Sequence, residues 1–84
     1  MNQPDHEQIL AQVIATIAEV AGVSPSQIKP DTELITDLNL DSLAMYEIVI
    51  DLEESFDLQI SDSDIDQIHT IDDAVNYILT ARGT

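Results

Sequence analysis

The 84-residue chain contains no cysteine and no tryptophan. Without cysteine it has no disulfide framework and no thiolate metal site, and any thiol chemistry has to come from an attached group. Its only aromatic side chains are Tyr46, Phe56 and Tyr77, so the core must be aliphatic. Basic residues are nearly missing: Lys29 and Arg82 stand against 17 acids, for a net charge of −15. Such a surface repels the phosphates of nucleic acids and of anionic lipids, so neither is expected as a partner. No apolar run approaches the roughly 18 residues of a membrane-spanning helix, so no membrane insertion is expected. Residues 1–7 lack the basic-then-apolar order of a signal peptide, and the cytoplasm is the expected compartment. Proteins with basic patches are the partners such a charge would attract, with faster encounter at low salt. Acidity that merely keeps the chain dissolved fits the composition equally well. Twelve of the acids fall between Asp31 and Asp66.

What is present reads as helix, in one small domain spanning residues 1–84 and expected to be monomeric. Residues 5–21 carry Ile9, Leu10, Val13, Ile14, Ile17 and Val20 at three- and four-residue spacing, and Gly22 suits the position just past a helix end. A long connection with Pro25 and Pro30 follows. Its apolar points Val23, Ile28, Leu34, Ile35, Leu38 and Leu40 are expected to pin it across the core. Asn39 suits a left-handed turn. A second helix is expected from Ser42 to Phe56 with Asp41 as its cap. Ser61 and Asp64 have capping-box spacing and open a short third helix. Thr70 to Asp73 repeats the device before a fourth helix, which carries Ile71, Ala74, Val75, Ile78 and Leu79 with Tyr77 at its flank and ends near Gly83. No strand pattern competes. The fold class predicted is all-α, a four-helix bundle with three longer helices, a short third helix and a long first loop.

Asp41-Ser42-Leu43 opens the most apolar helical stretch of this acidic chain. A hydroxyl there sits on a first turn, where backbone N–H groups are unpaired and the macrodipole is positive, so a phosphate esterified to Ser42 would be held favourably. No basic side chain or histidine lies within several residues, so Ser42 reads as an attachment point and not as a nucleophile activated by its own protein. No residue is assigned a catalytic role.

The helix behind Ser42 carries two apolar stripes. At about 100° per residue, Met45, Val49, Leu52 and Phe56 fall within about 60° of one another with Ile48 at one edge, which makes a core face. Leu43, Tyr46 and Ile50 form a second group about 120° away, with Glu47 and Glu54 beside it and Asp51 further round. Packing under the long loop is one reading of the second stripe. The other is a docking face, with apolar contacts for affinity and a carboxylate rim for orientation and on-rate.

Other patterns carry less. Asp62, Asp64 and Asp66 mimic the first ligand positions of a calcium loop, but Gln67 stands at the glycine position, His69 at the apolar one and Asp73 at that of the bidentate glutamate. No metal site is assigned. His6 and His69 share no local motif with Ser42 and read as surface residues. Tyr46 and Tyr77 read as packing residues.

The stretch Leu34-Ile35-Thr36-Asp37-Leu38-Asn39-Leu40-Asp41-Ser42-Leu43, followed by Glu47, resembles the signature of acyl carrier proteins. Ile48 to Phe56 is similar to that family's second helix, Ile60-Ser61-Asp62 to the lead into its third, and Thr70-Ile71 with Ala74 to Ile78 to its last. The resemblance implies a four-helix bundle in which Ser42 carries 4′-phosphopantetheine, installed by a phosphopantetheinyl transferase (holo-ACP synthase) that supplies base, magnesium and coenzyme A. It implies acyl groups held as thioesters, shielded by the aliphatic core and shown to fatty acid synthase enzymes with basic docking patches. Asp41, Leu43, Glu47 and Glu54 correspond to recognition positions, and Tyr46 and Ile50 to apolar contact points. Ala44 stands where many fatty-acid carriers have an acid, Tyr46 where they have a smaller aliphatic, Asn39 for glycine and Ser61 for proline. A carrier for polyketide, lipopeptide or aminoacyl transfer is the first alternative, although the glycines that peptidyl carriers show before the serine are absent. An acidic helical adaptor without an arm is the second.

Overall fold

The computed structural model describes residues 6–81, and the expected helix start at Asp5 and the end near Gly83 lie outside them. Four α-helices follow in order: α1 His6–Ala21, α2 Ser42–Phe56, α3 Asp62–Ile65 and α4 Ile71–Ala81. No strand occurs among the described residues, only a single bridge between Glu33 and Thr70. The all-α bundle, with α3 reduced to four residues, is what the periodicity predicts.

α1 packs against both α2 and α4. Its inward side is Ile9, Val13, Ile17 and Ala18, while Leu10, Ile14 and Val20 lie half-buried at the margin. The helix ends as its sequence dictates: Gly22 takes φ 73° and its N–H donates to the Ala18 carbonyl at 2.8 Å. From α2 come Met45, Ile48, Val49, Leu52 and Phe56, and from α4 Ile71, Ala74, Val75 and Ile78. Apart from Phe56 the buried cluster is aliphatic.

The long connection begins with a 3₁₀ turn at Pro25–Gln27, which no periodic pattern announces. It then crosses to α4. The N–H groups of Ile71 and Asp72 donate to the carbonyls of Thr32 (3.2 Å) and Pro30 (2.8 Å), and the Leu34 N–H donates to the His69 carbonyl at 2.9 Å. Ile28, Leu34 and Leu40 are buried as expected, and Val23 and Leu38 partly so. Ile35 is not: it is 58% exposed. The cause is a tight turn over residues 33–38. The Glu33 carbonyl accepts from Asp37 and Leu38, while the Asp37 carboxylate accepts from the Glu33 N–H at 2.9 Å. Within that turn Leu34 faces the core and its neighbour is turned out. Asn39 takes φ 57°, the left-handed conformation expected of it, and hands the chain to α2.

α4 begins with a reciprocal cap. Thr70 Oγ1 accepts from the Asp73 N–H at 3.1 Å, and Asp73 Oδ2 accepts from the N–H groups of Thr70 (3.1 Å) and His69 (3.0 Å). Those bonds favour the ionised carboxyl, and the Asp73 pKa falls below its ordinary value of 3.8, the His69 N–H contributing most against the opposing effect of burial.

Candidate functional site

Ser42 is the first residue of α2 and is exposed. Asp41 has extended backbone (φ −94°, ψ 179°), and its Oδ1 accepts from the Ala44 N–H at 2.9 Å, the expected N-cap. The first intrahelical bond runs from the Met45 N–H to the Asp41 carbonyl at 3.0 Å. The N–H groups of Ser42 and Leu43 precede it and stand at the positive tip of the helix, beside the Ser42 hydroxyl. The first turn of α2 holds no acidic side chain, so only the capping carboxylate of Asp41 flanks the hydroxyl in sequence. This environment suits an esterified phosphate; the one carboxylate next to Ser42 is committed to the cap of α2, and a general base would have to come from a histidine.

Neither histidine supplies one. His6 Nε2 lies 3.7 Å from Asp72 Oδ1 at the start of α4, both side chains about half exposed, and His69 is exposed in the turn before α4. Nor is Tyr77 a free acid: its hydroxyl donates to the Gln59 carbonyl at 3.1 Å. Burial, with the carboxylates of Asp64 and Glu53 nearby, raises its pKa above the ordinary 10.0. Asp64, Asp73 and Tyr77 line a shallow cleft between α3 and α4, of which Ser42 is no part. Among the described residues no three histidine, aspartate or glutamate side chains are grouped to hold a metal ion.

The two stripes of α2 part as their spacing predicts. One is buried throughout, from Met45 and Val49 at 6% to Ile48 and Leu52 at 2%. The other is not covered by the long loop: Leu43 is 69% exposed, Tyr46 49% and Ile50 53%. Glu47 and Glu54 are exposed beside it, and Asp51 is half-buried. Asp41, Ser42, Leu43, Tyr46, Glu47, Ile50 and Glu54 thus share one solvent-facing side of one helix and its cap. Large apolar side chains left in water and rimmed by carboxylates mark an interaction surface. Ile35 is the fourth uncovered apolar side chain of comparable size. Its apolar character predicts burial, and the only signal against that in the sequence is the polar triplet of Glu33, Thr36 and Asp37 that closes its turn.

Comparison with known proteins agrees with this geometry. A family model described as a phosphopantetheine attachment site matches residues 11–78. The acyl carrier protein of Cyanidioschyzon merolae is 48% identical over 73 residues, covering 87% of this chain and 80% of that one. The acyl carrier protein of Acidothermus cellulolyticus is 40% identical over 75 residues, 89% of each. A meromycolate extension acyl carrier protein of Mycobacterium leprae is 39% identical over 72 residues, 86% of this chain, which spans 63% of that protein. Among solved structures, an acyl carrier protein from Enterococcus faecalis superposes with a TM-score of 0.77 at 33% identity, covering 90% of this chain and 96% of that one.

Proposed function

The chain belongs to the acyl carrier protein family and carries a covalent 4′-phosphopantetheine, and from that premise we propose that Ser42 is the residue bearing the arm and that the protein serves fatty acid biosynthesis. It is a carrier, not an enzyme. The observation that supports Ser42 most is its place as the exposed first residue of α2, beside a carboxylate engaged as the helix cap.

When bound, the arm supplies a terminal thiol on which acyl groups ride as thioesters. The chain's own residues do the rest. Ser42 offers its Oγ to a transferase that provides the base. The helix tip, through the N–H groups of Ser42 and Leu43, favours the phosphodiester charge. Asp41 fixes the first turn, so that the ester projects from a defined point. Leu43, Tyr46 and Ile50 give a partner enzyme apolar contact, and Glu47 and Glu54 orient basic patches on it and speed its approach. The aliphatic core shelters the cargo. The reading puts this work in the cytoplasm, by a monomer.

A carrier of a specialised pathway is the second reading. It is favoured by the relatives named for meromycolate extension, and by Ala44 and Tyr46, which change the charge and bulk of the docking face.

Intact-mass measurement after incubation with coenzyme A and a broad-specificity phosphopantetheinyl transferase tests the Ser42 assignment. A gain of one phosphopantetheine in the wild type and none in Ser42→Ala is expected. A gain that persists in Ser42→Ala overturns it. Restoration of growth to a strain lacking its fatty-acid carrier separates the two pathways: rescue supports the first reading, and failure by a fully loaded protein supports the second.

A further inference from the structure

With Ser42 as the bearer of the arm, the largest side chain of the exposed stripe has a part in docking but none yet toward the arm itself. On an α-helix, residues three and four apart are surface neighbours, about 5–6 Å between Cβ atoms. The neighbours of Ser42 one turn on are Met45 and Tyr46. Met45 is buried at 6%, whereas Tyr46 is 49% exposed. Long side chains on a helix lean toward its N-terminus and cover the turn that precedes them, so the Tyr46 ring belongs over the surface beside Ser42. Ala44, also in that turn, has no side chain long enough to compete, and the turn holds no acid.

We propose, given the assignment of the arm to Ser42, that the Tyr46 ring is the resting surface for the phosphopantetheine arm in the undocked carrier. Pantetheine carries its only branched apolar carbon, with two methyl groups, close to the phosphate end, which is the part within reach of a side chain one turn from the ester. The ring face takes the methyl groups by apolar contact, and the phenol has a proton to donate to the first amide carbonyl beyond them. The same ring stands in the docking stripe, so a partner that covers Tyr46 also releases the arm from it.

The test is proton NMR on full-length apo and loaded protein, with loading and its site confirmed by intact mass. Ring-current shifts should move the two arm methyl resonances upfield in the loaded wild type. Cross-relaxation should connect them to the Tyr46 ring and not to Tyr77, whose hydroxyl is held by Gln59. The upfield shift should persist in Tyr46→Phe and vanish in Tyr46→Leu, both tolerable at a half-exposed position. If the methyl resonances of loaded wild type and Tyr46→Leu coincide and no cross-relaxation is seen, the inference is overturned while the Ser42 assignment stands. If the arm loads onto Ser42→Ala, both fall.

Discussion

Replacing Asp73 by alanine removes the acceptor for the N–H groups of His69 and Thr70 at 3.0 and 3.1 Å, and breaks the reciprocal cap of α4. Two charge-assisted bonds would suggest a loss of several kcal/mol. Both donors, however, lie where water can replace the carboxylate, His69 being exposed and Thr70 half-buried. The cost should therefore fall in the range of capping substitutions, about 1 kcal/mol. For a domain of this size that corresponds to a fall in melting temperature of about 4–8 °C. Because 17 acids repel one another, losing any one of them relieves some strain. The control is Glu19→Gln, which removes an exposed charge near the C-terminal end of α1, whose other end lies beside the start of α4. Circular-dichroism melts at pH 7 should place Asp73→Ala below wild type and Glu19→Gln at or slightly above it. The pH dependence follows from the lowered Asp73 pKa. An aspartate with a depressed folded-state value stabilises the fold fully above its unfolded value, here 3.8, and loses that contribution as pH falls through the folded one. The gap between wild type and Asp73→Ala should accordingly narrow below about pH 4. Equal melting temperatures for the two variants at pH 7, or a gap unchanged in acid, would refute the argument.

Two further outcomes are expected. Glu47→Lys and Glu54→Lys should slow association with a basic partner enzyme by about tenfold at 0.01 M salt and by about twofold at 0.15 M, as the Debye length falls from about 30 to about 8 Å. Stopped-flow rates across that range check this, and unchanged rates would remove the docking rim. Asp57→Gly should stabilise the protein by about 1 kcal/mol, because Asp57 holds φ 55° at the negative end of α2, where neither its Cβ nor its charge is favoured. Urea titration reads the shift in midpoint.

Much of the architecture is legible because it repeats. Ile9, Val13 and Ile17, or Met45, Val49 and Leu52, recur at the helical period, and Asp41, Ser61 and Thr70 announce helix starts by local chemistry alone. The exposed stripe of Leu43, Tyr46 and Ile50 derives from the same rotation per residue. What escapes has no period. Ile35 can be placed only by knowing that Glu33, Thr36 and Asp37 close a turn on themselves. The bonds from Ile71 and Asp72 to Thr32 and Pro30 join residues about forty positions apart, beyond any local signal. Asp57 in a left-handed conformation goes unannounced because Asn39 and Gly22 advertise that geometry and an aspartate does so weakly. At the site, position and exposure follow from the pattern. The helix tip can be named because an N-cap and a hydroxyl are adjacent in sequence.

The segment that contains α3 is moored at each end by a side chain from a longer helix. Before it, Glu53 Oε2 accepts from the Ile60 N–H at 2.8 Å, and Tyr77 holds the Gln59 carbonyl. After it, Asp73 holds His69 and Thr70. Between the two moorings lie the single turn of α3 and residues 66–68, with Ile65 half-buried and Ile68 buried in the shared core. The panel is lashed like a rope between two cleats, tied to α2 through Glu53 and to α4 through Tyr77 and Asp73.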